Sequence, residues 1–308
     1  VSGDFGGYFM DFDAAARALA THPDYRLLRR IPSVAEWVLP AASGATRRAV
    51  FLDVETTGLD ERDEVIELAL LPFEYERDTG VITRILQSEA YCGLRQPSFP
   101  IPPESARVHG ITDADVAGKV IDEERIRSIL SSAQLVIAHN AGFDRPMVEK
   151  HWPIFETASF ACSWHDIAWS DEGLATGKLD YLLMRQGWFF DSHRALGDAA
   201  AGVFLLTLAL PTSGTLAMQA LLTSARRPLM AVRAEGTAFE AKAALKQRGY
   251  RWDPGDTERT KAWWILTEDA EAEIAWLNAE IYTTPRTIRP VSVPATRRFS
   301  SRVWRAGA

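Results

Sequence analysis

The stretch "FLDVETTGLD", residues 51–60, sets Asp53 and Glu55 inside an apolar run. Strand side chains alternate faces with a period of two, so Phe51, Asp53 and Glu55 share one face while Val50, Leu52 and Val54 share the other. Two carboxylates so placed repel each other, and burying either without a partner costs on the order of several kcal/mol. A cation between them removes both penalties, and magnesium favours carboxylate oxygen with retained water. A solvated strand end with ordinary exposed acids has the same local sequence, so the pair by itself leaves both readings open.

Two further stretches place acids at element junctions. "VIAHNAGFD", 136–144, reads as a strand that ends near His139 and Asn140 and passes into a helix carrying Asp144. An acid in a first helical turn is also favoured by the helix dipole alone. "HRALGDAAA", 193–201, puts His193 five residues before Asp198, about 140° away on a continuous helix. The two converge only if His193 lies in a loop before the helix that carries Asp198, and "DS" at 191–192 permits that loop. A loop imidazole, with an ordinary pKa near 6.5, can take a proton from an attacking water.

Taken together, "DVETTGL", "AHNAGFD" and "HRALGDA" resemble, in order and internal spacing, the three motifs of the DEDD 3′–5′ exonuclease family in its DnaQ-like branch with histidine. "VHGIT", 108–112, resembles a segment typical of the polymerase III epsilon branch, and the likeness covers roughly residues 48–212. It implies a ribonuclease H-like α/β fold, a mixed central sheet flanked by helices. It also implies that Asp53, Glu55, Asp144 and Asp198 hold two divalent ions, Mg2+ with Mn2+ as a substitute, and that His193 is the general base. In the sister branch a tyrosine four residues before the last aspartate has that role, and here the position is Arg194. By the same resemblance Thr56 and Thr57 meet the 3′-terminal nucleotide, Leu59 and Phe143 pack on terminal bases, His109 lies near the scissile end, and Asn140 contacts substrate. The implied activity is 3′–5′ hydrolysis of DNA, at single-stranded ends, releasing nucleoside 5′-monophosphates. RNA remains open as substrate, because a 2′-hydroxyl contact needs only one donor or acceptor. A non-catalytic nucleic-acid-binding polymerase accessory is the alternative of another class, and the complete acid set speaks against it. No clamp-binding peptide or polymerase-docking tail is recognisable, and the polymerase partner is unknown.

The rest of the chain bounds these readings. Its 308 residues, 47% hydrophobic and 24% charged, have ordinary globular composition. The longest apolar run, "AAAGVFLLTLAL" (199–210), reads as a buried helix rather than a membrane span. The N-terminus is acidic without a leader pattern, and Cys92 and Cys162 are expected as free thiols, so the expected location is cytoplasmic. No Gly-rich turn follows the first strand, which argues against a dinucleotide cofactor. Strands are expected at 63–76 and 81–92, joined by "RDTG", and helices at 122–132, 178–187 and 195–210. The expected divisions are a helical extension and linker over 1–47, an exonuclease domain over 48–212, a small C-terminal α+β domain over 213–283, and a basic, flexible tail over 284–308. That last stretch holds six arginines and no acid, against a net charge of −7 for the whole chain. Within the small domain, "LKQRGYRWDPGDTERTKAWWILT" (245–267) interleaves aromatic and basic residues. Such a mixture suits either single-stranded nucleic acid or the core of a small domain.

Overall fold

The computed structural model describes residues 11–256 and 259–304. The acid-bearing run lies in the strand Thr46–Thr56, at the middle of a mixed sheet. On one side it pairs antiparallel with the long strand Val65–Glu76, whose far edge is covered by two short strands, Ile82–Ile85 and Tyr91–Leu94. On the other side it pairs parallel with Leu135–Ala138, and that strand with Phe160–Cys162. The single strand expected over 81–92 is thus split: a 3-10 turn at Gln87–Glu89 resets the backbone. One short strand then covers Phe73–Tyr75 and the other Glu67–Leu70.

The period-two alternation holds in the packing. Val50, Leu52 and Val54 face a core built with Ile126 and Ile129 of the helix Glu123–Ser132 and with Met147 and Val148 of the helix Ala141–His151. Phe51 faces the other core, with Leu182, Leu183, Val203 and Leu206. The helix Ala195–Thr207 crosses this second face. Gly202 is what lets it come close, since a Cβ there would overlap the Phe51 ring. Asp198 lies one turn before Gly202 on the same helix face. Four helical residues rise about 6 Å and two strand residues about 6.8 Å, so seating Gly202 on Phe51 brings Asp198 over Asp53. Gly202→Ala is therefore expected to cost about 1–3 kcal/mol by overpacking, even though alanine is the better helix former by about 1 kcal/mol. Urea unfolding checks this, and an unchanged midpoint would mean that the helix contact is loose.

The segment before the central strand docks on the same core: Trp37 packs against Phe204 with ring centroids 5.4 Å apart. Arg29–Arg30 pairs with Trp188–Phe189. The expected boundary at 213 moves. The helix Ala217–Ala225 buries Met218 and Leu221 in the first core rather than in the small domain. The second sheet then orders Arg251–Asp253, Ala262–Thr267, Leu229–Glu235 and Val291–Val293, all antiparallel. Its core gathers Val232, Ala234, Leu245, Tyr250, Trp263 and Leu277.

The described part of the 284–308 stretch is not a loose tail. Val291–Val293 completes the second sheet, and residues 294–304 strap back across the first domain. Their arginines meet acids from other parts of the chain: Arg298 pairs with Asp166, and Arg302 with Glu149 at 2.8 Å. Among the described residues no helix is long and apolar enough to cross a membrane, and both cysteines are unpaired.

Candidate active site

Asp53 and Glu55 end the central strand, and Asp198 enters from the first turn of the Ala195–Thr207 helix. One carboxylate oxygen from each lies within 4.8 Å of the others. Asp144, on the first turn of the Ala141–His151 helix, is 5% exposed and stands outside that tight trio, but its charge bears on Asp53. The four acids act on one another as a cluster of like charges. Burial, then the charges of Asp144, Asp198, Glu55 and Glu67, pushes Asp53 well above the usual carboxylate range. Burial, then Asp198 and Glu67, pushes Glu55 up to about 8. Burial, with the Glu55 charge added, raises Asp144 to about 8 against N–H groups of its own residue and Val54. Asp198 is raised by burial, although the Arg194 N–H donates to its Oδ2 at 2.9 Å. Half-buried oxygens that repel one another, with no lysine or arginine inside the trio, are a donor set fitted to hard divalent cations.

Glu67 was not legible as a site residue, although it stands alone among apolar neighbours in "VIELALL". It lies directly opposite Glu55 across the antiparallel pair and is 1% exposed. Burial would raise its pKa, but Arg194 and the Ala195 N–H outweigh burial and hold it low. Arg194 Nη2 donates to Glu67 Oε1 at 2.8 Å, and the Ala195 N–H to Oε2 at 2.9 Å. This clamp fixes the start of the helix and with it the preceding residue, His193. That histidine is exposed in the loop before the helix, at φ 72°. The loop placement is the condition under which His193 and Asp198 converge, and the His193 charge does act on Asp198.

The other residues singled out divide by what they touch. Leu59 is 82% exposed just after the strand end, while Phe143 is half-buried against the core. Thr56 Oγ1 donates to the Gly58 carbonyl at 2.6 Å. Thr57 is fully buried, with its N–H given to the Glu64 carbonyl and its hydroxyl to Asp63, so it keeps no free donor. Asn140 takes a left-handed backbone, φ 84°, at the entry to the Asp144 helix. Asparagine tolerates that region better than most residues. His109 accepts the Ile111 N–H at Nδ1, which leaves the proton on the buried Nε2; the Thr56 carbonyl favours the charged ring, but burial outweighs it and lowers the pKa. His139 is accounted for inside the protein: Nε2 donates to the Gly177 carbonyl at 2.7 Å and Nδ1 meets Ser163 at 2.9 Å, while burial lowers it to about 4.

The sequence profile of the RNase T exonuclease family matches residues 50–206, about half of the chain. This chain belongs to that family. The sheet order and the helices on both faces are the ribonuclease H-like arrangement of its exonuclease domain. A DNA polymerase III subunit epsilon-like protein of Rhodobacter capsulatus is 32% identical over 198 residues, covering 58% of this chain and 26% of that protein. The chain thus spans about a quarter of that curated relative's length. Among solved structures, Exonuclease X in complex with 5′ overhanging duplex DNA is similar at 25% identity and TM-score 0.41, covering 57% of this chain and 99% of that one. Exonuclease I of E. coli in complex with an oligonucleotide is similar at 14% identity and TM-score 0.46, covering 72% and 63%.

Proposed function

We propose that this protein is a divalent-metal-dependent 3′–5′ exonuclease that removes nucleoside 5′-monophosphates from single-stranded DNA ends. The observation that carries the reading is the meeting of Asp53, Glu55 and Asp198 within 4.8 Å, from a strand and a helix far apart in sequence, with Asp144 beside them and the His193 loop held at their edge. Asp53, Glu55, Asp144 and Asp198 would hold two magnesium ions, which when bound activate the attacking water and offset the charge developing on the phosphodiester. His193, exposed and next to Asp198, takes the proton of that water. Leu59 gives the terminal base an apolar surface that any base can use, which suits weak sequence preference.

In the test, 5′-labelled single-stranded DNA and RNA are incubated with the protein in magnesium. A ladder shortening from the 3′ end of the DNA, abolished by chelator, is the expected result. Internal cuts, chelator-resistant cleavage or no cleavage would sink the proposal, and a ladder on RNA alone would reassign its substrate.

A further inference from the structure

The small C-terminal domain carries a groove of about 490 Å³ between its sheet and the 239–247 segment. Trp263 forms the floor and is 8% exposed. Trp252 leans on it at 5.3 Å between centroids and stays 48% exposed, while Phe239 on the opposite wall is 80% exposed. Lys242 and Lys246 stand one helical turn apart, on one face, and Lys261 comes from the sheet side. The Lys242 ammonium lies 5.6 Å from the Phe239 centroid, so a cation and a ring stand together.

Several of the domain's arginines are engaged within the domain. Arg233 is engaged with Asp253 and Glu235, Arg248 with Glu273, and Arg286 with the Tyr282 ring. Lys242, Lys246 and Lys261 make no ion pair among the described residues. The aromatic content of the 245–267 stretch divides in the same way. Tyr250 and Trp263 are core, with the Tyr250 hydroxyl on Glu273 at 2.7 Å, whereas Trp252 faces the groove.

We propose that this groove is a second binding site for single-stranded nucleic acid, apart from the acidic site. Exposed ring faces stack on unpaired bases whatever their identity, and the three ammoniums set around them neutralise the adjoining phosphates. Duplex does not offer its base faces to such rings. An acidic peptide would satisfy the lysines and leave Trp252 and Phe239 without a role. The proposal does not depend on the nuclease assignment, because binding is measurable without turnover.

The experiment uses the full chain in chelator and a fluorescent oligothymidylate of roughly 30 nucleotides, read by anisotropy over a salt series. Trp252→Ala and Phe239→Ala are each expected to weaken binding about tenfold. The combined variant K242A/K246A/K261A is expected to lower the log–log salt slope by about 2, at about 0.7 per phosphate contact. Thermal midpoints serve as the folding control, and Phe239 is exposed enough that its truncation leaves the core alone. Wild-type affinity and slope in Phe239→Ala and in the lysine variant would overturn the site, even if Trp252→Ala were weaker. So would displacement of the oligonucleotide from the groove variants and the wild type alike by polyglutamate.

Discussion

Asp53→Asn is expected to lose DNA hydrolysis by about a thousandfold or more, about 4 kcal/mol of barrier, while its folding stability in chelator matches or exceeds that of the unchanged protein. The two halves of this expectation share one cause. Asp53 is surrounded by Asp144, Asp198, Glu55 and Glu67. Its carboxylate costs the fold energy whenever no cation is present, so the isosteric amide relieves repulsion without leaving a hole. The same exchange removes a carboxylate oxygen from the trio with Glu55 and Asp198, which on the proposed reading would hold the cations that stabilise the displacement. A 3′-labelling-independent assay, loss of full-length 5′-labelled strand, measures the first half, and urea unfolding in chelator the second. Retained activity would remove Asp53 from the metal site. A large loss of stability would mean that the carboxylate is a structural acceptor and that the clustering has another purpose.

The legibility of this site in the sequence follows from how its parts are held. The shared face of Asp53 and Glu55 is readable because a strand's period of two is local and rigid, with Phe51 beside them; their assignment to a site rests on the resemblance of all three motifs together. For His193 and Asp198 the spacing says only that they meet if His193 precedes the helix, which φ 72° at His193 allows; their roles rest on the resemblance. Glu67 is not readable by such rules. Its meaning comes from register with Glu55 and from a guanidinium on a distant helix, Arg194. The tail fails for the same reason. Six arginines without a local acid look solvated, yet Asp166 and Glu149 pair with two of them from more than a hundred residues away. The 81–92 stretch shows the opposite error, in which continuous strand-like composition hides a 3-10 break that lets two short strands share one edge.

Deleting residues 295–308 is expected to destabilise the protein by about 3–5 kcal/mol, the cost of breaking a buried charge network from one side. Arg145, the residue after Asp144, is fully buried and stacked 4.4 Å over Phe160. Its guanidinium donates to Glu149 at 2.7 Å and to the carbonyls of Ala295, Thr296 and Arg298 in the strap. Glu149 also receives the Ser300 hydroxyl at 2.6 Å and Arg302 Nη2 at 2.8 Å. The deletion spares the strand Val291–Val293, so the small sheet keeps its edge, but Arg145 is left buried with three acceptors gone. Replacing the stranded pair by apolar residues of similar volume, R145M with E149L, is expected to restore at least half of the loss in the truncated chain, since a buried pair can often be exchanged for packing. The part left unrestored belongs to the buried Arg298–Asp166 pair, which the deletion also breaks, and to Val303 and Trp304, which pack beside Ala231 and Trp264. Urea midpoints of the four combinations measure the coupling. A truncated protein as stable as the full chain, or one that the double substitution makes worse, would show that the strap lies on the surface without bearing on the helix that carries Asp144.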